Sequence, residues 1–344
     1  MNTTQYCALG NFSKSYEQIH GVLSLTFCGF GTAANLLIMS VLLRKDMRWP
    51  TNFILIGLAI ADLLVMIEYI PFSFHRYIYR DRRNYVSSYS HNWAIFMYFH
   101  ALFSQIFHFI SCCLTVILAI WRYVTISQPH QTRVWFSLKR TLYAIILVYI
   151  CGPLICSPII FSLSIKLYNQ TCDYNGKIIG KQHIKDYKDE EINTEIIYLT
   201  DIPSNTAKVM SFWVYSVVLK LVPCILLTHL SWKLIAILME TKKRKKVLLQ
   251  TVVNMKDINS ANLLTNKKKK ITQADRTSNM LLALLFLFLI TEFPQAILGL
   301  LSAILEEFEK QCYRPLGKLI LTFIHMNLVL TDLLFLAFPD KEYF

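Results

Sequence analysis

Four ionisable side chains stand inside long apolar runs: Asp62, Glu68, Lys220 and Glu292. None is placed to reach water easily by stretching along its own helix. A charge in a hydrocarbon interior is costly, so such residues turn inward and face one another, a water-filled cavity or a ligand. Two acids in the second apolar run, a base in the fifth and an acid in the sixth point to an internal polar network. A lysine–carboxylate pair within that network lessens the desolvation cost of both partners. Two chemistries fit these residues: a structural ion pair, or a polar pocket or switch that a ligand engages. The residues alone leave both open.

The elements that must hold these groups are legible from composition. Of 344 residues, 54% are hydrophobic and 17% charged, against about 25% charged in soluble domains. The apolar residues come as uncharged runs, and a run of about 20 residues spans a bilayer as a helix, because every backbone polar group is then satisfied internally. Seven runs qualify: residues 21–43, 51–79, 93–126, 141–165, 208–239, 278–305 and 315–338. The expected fold is all-α, a seven-transmembrane helix bundle. It is divided as a tail at 1–19, the bundle at 20–338 and a short cytoplasmic tail at 339–344. Residues 166–205 and 240–276 read as long polar loops. Pro71, Pro158, Pro223 and Pro294 fall in four different helices. Each removes a backbone hydrogen bond and kinks its axis, which suits a bundle that shifts its helices.

Charge sets the orientation. Arg44, Lys45, Arg48, Arg133, Lys139, Arg140, the basic runs 242–246 and 267–270, and Arg276 gather on one side. The later loops of the other side carry Asp186, Asp189, Glu190, Glu191, Glu195, Asp201, Glu306, Glu307 and Glu309. The positive-inside rule places the basic side in the cytoplasm and the N-terminus outside. No apolar leader precedes residue 20, so the first helix is expected to target the chain to the plasma membrane. The net charge of +13 is explained by these loops and by anionic lipid facing them, not by nucleic acid. The sequons at Asn2, Asn11 and Asn169 all fall on the outer side, with Asn11 and Asn169 the expected glycosylation sites.

Several function classes are disfavoured. No internal repeat is visible, against transporters built from duplicated halves. The histidines read as scattered, with no close His–Cys or His–carboxylate spacing on any helix, so neither a metal nor an enzyme is expected. No cofactor is implied.

The finer signals carry a resemblance. Asn35 follows Gly31-Thr32-Ala33-Ala34; Leu58-Ala59-Ile60-Ala61-Asp62 has the pattern Leu-x-x-x-Asp; Trp121-Arg122-Tyr123 ends the third helix; Phe288 and Pro294 flank Glu292. These positions resemble rhodopsin-like G-protein-coupled receptors. The strings Met47-Arg48-Trp49-Pro50-Thr51-Asn52, Lys220-Leu221-Val222-Pro223-Cys224 and Thr291-Glu292-Phe293-Pro294-Gln295 resemble invertebrate, most closely nematode, myosuppressin and FMRFamide-like neuropeptide receptors.

The resemblance implies partners and roles: an amidated peptide ligand outside, a heterotrimeric G protein inside and the bilayer around. It implies a G-protein switch at Arg122, Tyr123, Pro223, Phe288 and Pro294. It implies a sodium site at Asp62, Ser111 and Asn327, whose oxygens suit a hard cation. A peptide arginine needs a carboxylate, so Glu68 or Glu292, with Lys220, is expected at the ligand. The class pairs an outer cysteine of the third helix with one in the second outer loop. Cys172 is present but Met97 and its neighbours offer no partner, so Cys172 is expected to pair with Cys7 or Cys312. The seventh helix departs further: Thr331-Asp332-Leu333-Leu334-Phe335 stands where the class has Asn-Pro-x-x-Tyr, and no eighth helix is expected. A signalling-deficient decoy that only binds peptide is therefore an alternative, and a transporter using Asp62, Lys220 and Glu292 as a charge relay is a more distant one.

Overall fold

A computed structural model describes residues 7–79, 89–128, 137–172, 193–202, 204–254 and 261–337. The expected tail at 339–344 and the sequon at Asn2 lie outside them. Among the described residues, seven helices are long and apolar enough to cross a membrane. They are α1 (Gly10–Leu42), α2 (Pro50–Ser73, continued by the π-helical Phe74–Ile78), α3 (His91–Ser127) and α4 (Leu138–Ser162). After them come α5 (Asn205–Trp213, the π-helical Val214–Leu221, then Val222–Asn254), α6 (Ala261–Ile304) and α7 (the π-helical Glu309–Tyr313, then Arg314–Ala337).

The ring of helices closes where α1 packs on both α2 and α7, while α3 touches α2, α4 and α5. The largest apolar cluster joins Ile54 and Leu58 of α2, Ile110, Leu114 and Leu118 of α3, Leu227 and Leu234 of α5, and Leu285 and Phe288 of α6. It lies in the inner half of the bundle. Ser90, Ser137 and Ser204 cap α3, α4 and α5 by accepting from the backbone N–H three residues on, at 3.3–3.4 Å, which satisfies one orphan donor at each start.

Three elements exceed the expected boundaries. α1 begins about three turns before its apolar run. Those turns are amphipathic and pack on α7: the Tyr16 hydroxyl donates to Thr322 at 2.7 Å, and Lys318 pairs with Glu17 at 2.7 Å. Residues 10–19 are therefore helical, not a separate tail. At the inner side, α5 and α6 continue through much of 240–276 instead of ending at the membrane. Lys, Leu and Gln are good helix formers, so the stretch keeps its backbone bonds in helix.

The loop expected at 166–205 holds a hairpin. β1 (Ser164–Cys172) and β2 (Asn193–Asp201) pair antiparallel, in register from Ser164 opposite Asp201 to Cys172 opposite Asn193. Its Ile, Thr and Tyr residues favour extended backbone. The hairpin lies over the outer end of α3: the Thr200 hydroxyl donates to the Ala94 carbonyl at 3.2 Å, and the Tyr198 and His91 rings meet edge to face.

The cysteine pairing is also corrected. Cys7 bonds to Cys312, with Cα atoms 5.5 Å apart, so neither partner expected for Cys172 is available to it. The amphipathic start of α1 brings Cys7 against the start of α7, which places two outer cysteines side by side.

Candidate functional site

The polar network expected from four charges is divided by the fold into three sites at different depths. The deepest charged pair is Lys220 of α5 with Glu292 of α6, at 2.5 Å and with side chains 1% exposed. Local backbone explains why Lys220 points inward. Pro223 has no N–H to give the carbonyl four residues earlier, and the preceding turns, Val214–Leu221, take π geometry. That widened segment turns Ser216, Leu219 and Lys220 to the core. Gly299 of α6 lets the segment come close: a Cβ there would run into the Ser216 hydroxyl. Glu292 sits two residues before Pro294, inside α6.

A third residue joins the pair. His108 of α3 lies with Nε2 at 2.5 Å from the Lys220 ammonium and 3.2 Å from Glu292. The Cys112 sulfur, one turn further along α3, is 3.9 Å from the same ring nitrogen. Burial of two opposite charges carries a large desolvation cost, and close contact with added hydrogen bonds offsets it. Glu292 is thus a carboxylate already neutralised.

Glu68 is not part of this group. It pairs with His100 of α3, with Nδ1 at 2.7 and 2.8 Å from its two oxygens. The ring of His100 stacks on Phe72 at 4.2 Å, and Tyr69, Trp93 and Phe96 stand close by. His100 and His108 are eight residues apart on one helix, so the Glu68 site lies about 12 Å nearer the outer surface. Tyr69 also accepts or donates at 3.1 Å to His20, which sits 2.8 Å from Thr322.

Asp62, Ser111 and Asn327 do come together, around a cavity of about 30 Å³ that also touches His108 and Glu292. Ser111 hydrogen-bonds to Asp62. One Asp62 oxygen and the Asn327 side-chain oxygen remain buried without a hydrogen-bond donor. Asn327 donates from its amide to Thr291 at 2.9 Å. Buried oxygens lacking donors, beside a cavity larger than a water needs, fit a hard cation. Below α7's Asn327, Asp332 accepts from Asn35 of α1 at 2.5 Å.

The remaining expected residues are spread along the bundle. Arg122 and Tyr123 stand at the inner end of α3, with Lys233 of α5 above the Tyr123 ring at 5.8 Å. Phe288 and Pro223 are buried, and Pro294 is exposed to the surroundings. Asn11 is exposed on the first turn of α1 and Asn169 on β1.

Sequence reasoning missed His100, His108 and Cys112, and it misjudged the spacing. His100, Ser104, His108 and Cys112 recur every four residues on α3, which makes a polar stripe on one helical face. That stripe is the signal that would have found them.

Seven helices long and apolar enough to cross a membrane, packed around a buried polar core, define a serpentine multi-pass bundle. The chain belongs to the family described as serpentine type 7TM GPCR chemoreceptor Srw, which matches residues 22–338, and with it to the plasma membrane. It is 29% identical over 329 residues to G-protein coupled receptor dmsr-1 of Caenorhabditis elegans, covering 89% of this chain and 62% of that one. It is 25% identical over 284 residues to the sex peptide receptor of Drosophila melanogaster, covering 80% of this chain and 59% of that one. The thyrotropin-releasing hormone receptor of Homo sapiens matches 172 residues at 26% identity, 48% of this chain and 40% of that one. The chain spans about three-fifths of the length of the first two relatives.

Proposed function

We propose that the protein is a G-protein-coupled receptor for an amidated neuropeptide of the FMRFamide or myosuppressin-like kind, and that it passes ligand binding to a heterotrimeric G protein. The observation that carries the reading is the Glu68–His100 pair in the outer half of the bundle, ringed by Tyr69, Phe72, Trp93 and Phe96. A carboxylate there takes a peptide guanidinium with two parallel hydrogen bonds, and the rings take an adjacent aromatic side chain. The charge of Glu292 is answered by Lys220, whereas Glu68 faces a histidine, so of the two acids Glu68 is the one assigned to the ligand. Lys220 and Glu292 form the floor beneath it. The names of the nematode and insect relatives, a G-protein coupled receptor and a sex peptide receptor, support a peptide ligand.

The rest of the machinery follows inward. Asp62, Ser111 and Asn327 hold a sodium ion, Pro223, Phe288 and Pro294 let α5 and α6 shift, and Arg122 with Tyr123 meets the G protein about 21 Å inward of His108. Asn11 and Asn169 carry glycans. Cells expressing the chain at their surface and challenged with an amidated-peptide library are expected to show a calcium or cAMP response. Glu68→Gln should then raise the effective peptide concentration about thirtyfold or more, the cost of removing one partner of a desolvated charged contact. Silence toward every peptide, despite surface expression, overturns the reading. Peptide binding without a G-protein response would identify the decoy, for which the Asn35–Asp332 bond in place of an Asn-Pro turn is the observation.

A further inference from the structure

We propose that His108, Cys112 and Glu292 form a binding site for a thiophilic divalent cation, Zn²⁺ or an ion of similar preference, and that the Lys220 ammonium plugs this site in the state described here. The proposal goes beyond peptide recognition and does not depend on it.

One imidazole nitrogen, one sulfur and one carboxylate oxygen, from α3 and α6, all lie within 4.8 Å of one another. The ring nitrogen is 3.9 Å from the sulfur and 3.2 Å from the carboxylate. Ligands at tetrahedral angles around Zn²⁺, at its usual bond lengths, stand about 3.3–3.6 Å apart. The His108 nitrogen therefore stands within a few tenths of an ångström of ligating separation from each of the other two donors, and Cys112 and Glu292 lie no more than 4.8 Å apart. Cys112 and Glu292 are each 1% exposed, so neither donor is lost to bulk water.

The mixed donor set selects the cation. Nitrogen, sulfur and oxygen together suit zinc and its neighbours, whereas sodium, magnesium and calcium take oxygen alone. The oxygen-only group at Asp62, Ser111 and Asn327 adjoins the same cavity, so the core offers a hard site and a softer one side by side.

Lys220 shows that the softer site is built around a positive charge. Its ammonium sits 2.5 Å from both His108 and Glu292, inside the space an ion bound to those atoms would fill. A structural ion pair needs Lys220 and Glu292; it has no use for a thiol facing the shared histidine. On ligation the Cys112 thiol gives its proton to solvent and binds as thiolate, while the ammonium leaves along α5, whose π-helical turns carry Lys220. The S–H bond breaks, a metal–sulfur bond forms, and no oxidation state changes.

Cobalt(II) reports the site in the purified full-length chain, since thiolate ligation gives a charge-transfer band and tetrahedral geometry gives visible bands. Lys220→Met is expected to show both, and Lys220→Met with Cys112→Ser is expected to lose the charge-transfer band. Absence of the bands in folded Lys220→Met, or their survival without Cys112, overturns the proposal. Because Lys220→Met removes a buried charge and can fail to fold, the native chain supplies a second measurement. Excess Zn²⁺ should raise its melting temperature, and Cys112→Ser alone should abolish that rise. An equal rise in both chains, or none in the native chain, counts against the site.

Discussion

Two carboxylates in this bundle are each matched to a histidine of α3, and their surroundings differ. Glu292 touches His108 and Lys220, is 1% exposed and is pinned among three helices. Among the described residues, Glu68 hydrogen-bonds to His100, whose ring stacks on Phe72, and the Glu68 and His100 side chains are 8% and 12% exposed. The first is a closed charge set, in which every unit of charge has an internal answer. The second is a carboxylate whose two oxygens share one histidine nitrogen, with no ammonium beside it among the described residues. The comparison teaches that an acid within a membrane helix is not by itself a ligand contact: one acid here is answered by a lysine, whereas the other is held by a histidine, which carries charge only when protonated.

The largest test breaks the closed set. Lys220→Ala leaves Glu292 buried with only His108 to answer it and is expected to cost about 3–5 kcal/mol, read as a lowered melting temperature in lipid nanodiscs. Lys220→Met combined with Glu292→Leu should recover most of that loss, because apolar residues replace a buried pair with little penalty. A double variant as unstable as the single one would show that the pair does more than neutralise itself. Next in size is the outer staple. Cys7→Ser should lower stability by about 2–4 kcal/mol, and reducing agent should lower the melting point of the native chain but not of the variant. Third comes Glu68→Gln, expected to cost about 1–2 kcal/mol: the pair is buried, its side chains 8% and 12% exposed, but Gln keeps an acceptor oxygen for His100 and leaves no unpaired charge behind. A loss as large as that of Lys220→Ala would erase the distinction between the two acids. The smallest effect belongs to Glu240 and Arg244, a 2.6 Å pair four residues apart with both side chains mostly exposed. Glu240→Ala should shift stability by about 0.3–0.5 kcal/mol, near the limit of a thermal scan.

What the sequence reveals of this molecule depends on how local the signal is. Long uncharged runs are local, and all seven helices were legible from them. The inward charges were equally legible, since Asp62, Glu68, Lys220 and Glu292 stand out against apolar neighbours. Their partners were not. Lys220 meets His108 across 112 positions and Glu292 across 72, and such distances carry no periodic signal. The polar stripe at His100, Ser104, His108 and Cys112 was readable in principle, but histidines spaced by eight look scattered until a helix aligns them. The outer hairpin was hidden because its few apolar residues are split between both faces, Ile165, Leu167 and Ile196 on one and Ile197 and Leu199 on the other, which leaves no one-sided alternation. The Cys7–Cys312 pairing was hidden because three outer cysteines offer three pairings, and spacing cannot choose among them.

That disulfide also changes the connectivity of the chain. It joins two positions 305 residues apart, so everything from the first helix to the start of the seventh forms one covalent ring. A protease that cuts once among the lysines at 242–246 or 267–270 opens the ring without releasing a piece. The two fragments should run as one species on a gel without reductant and separate only when the bond is reduced.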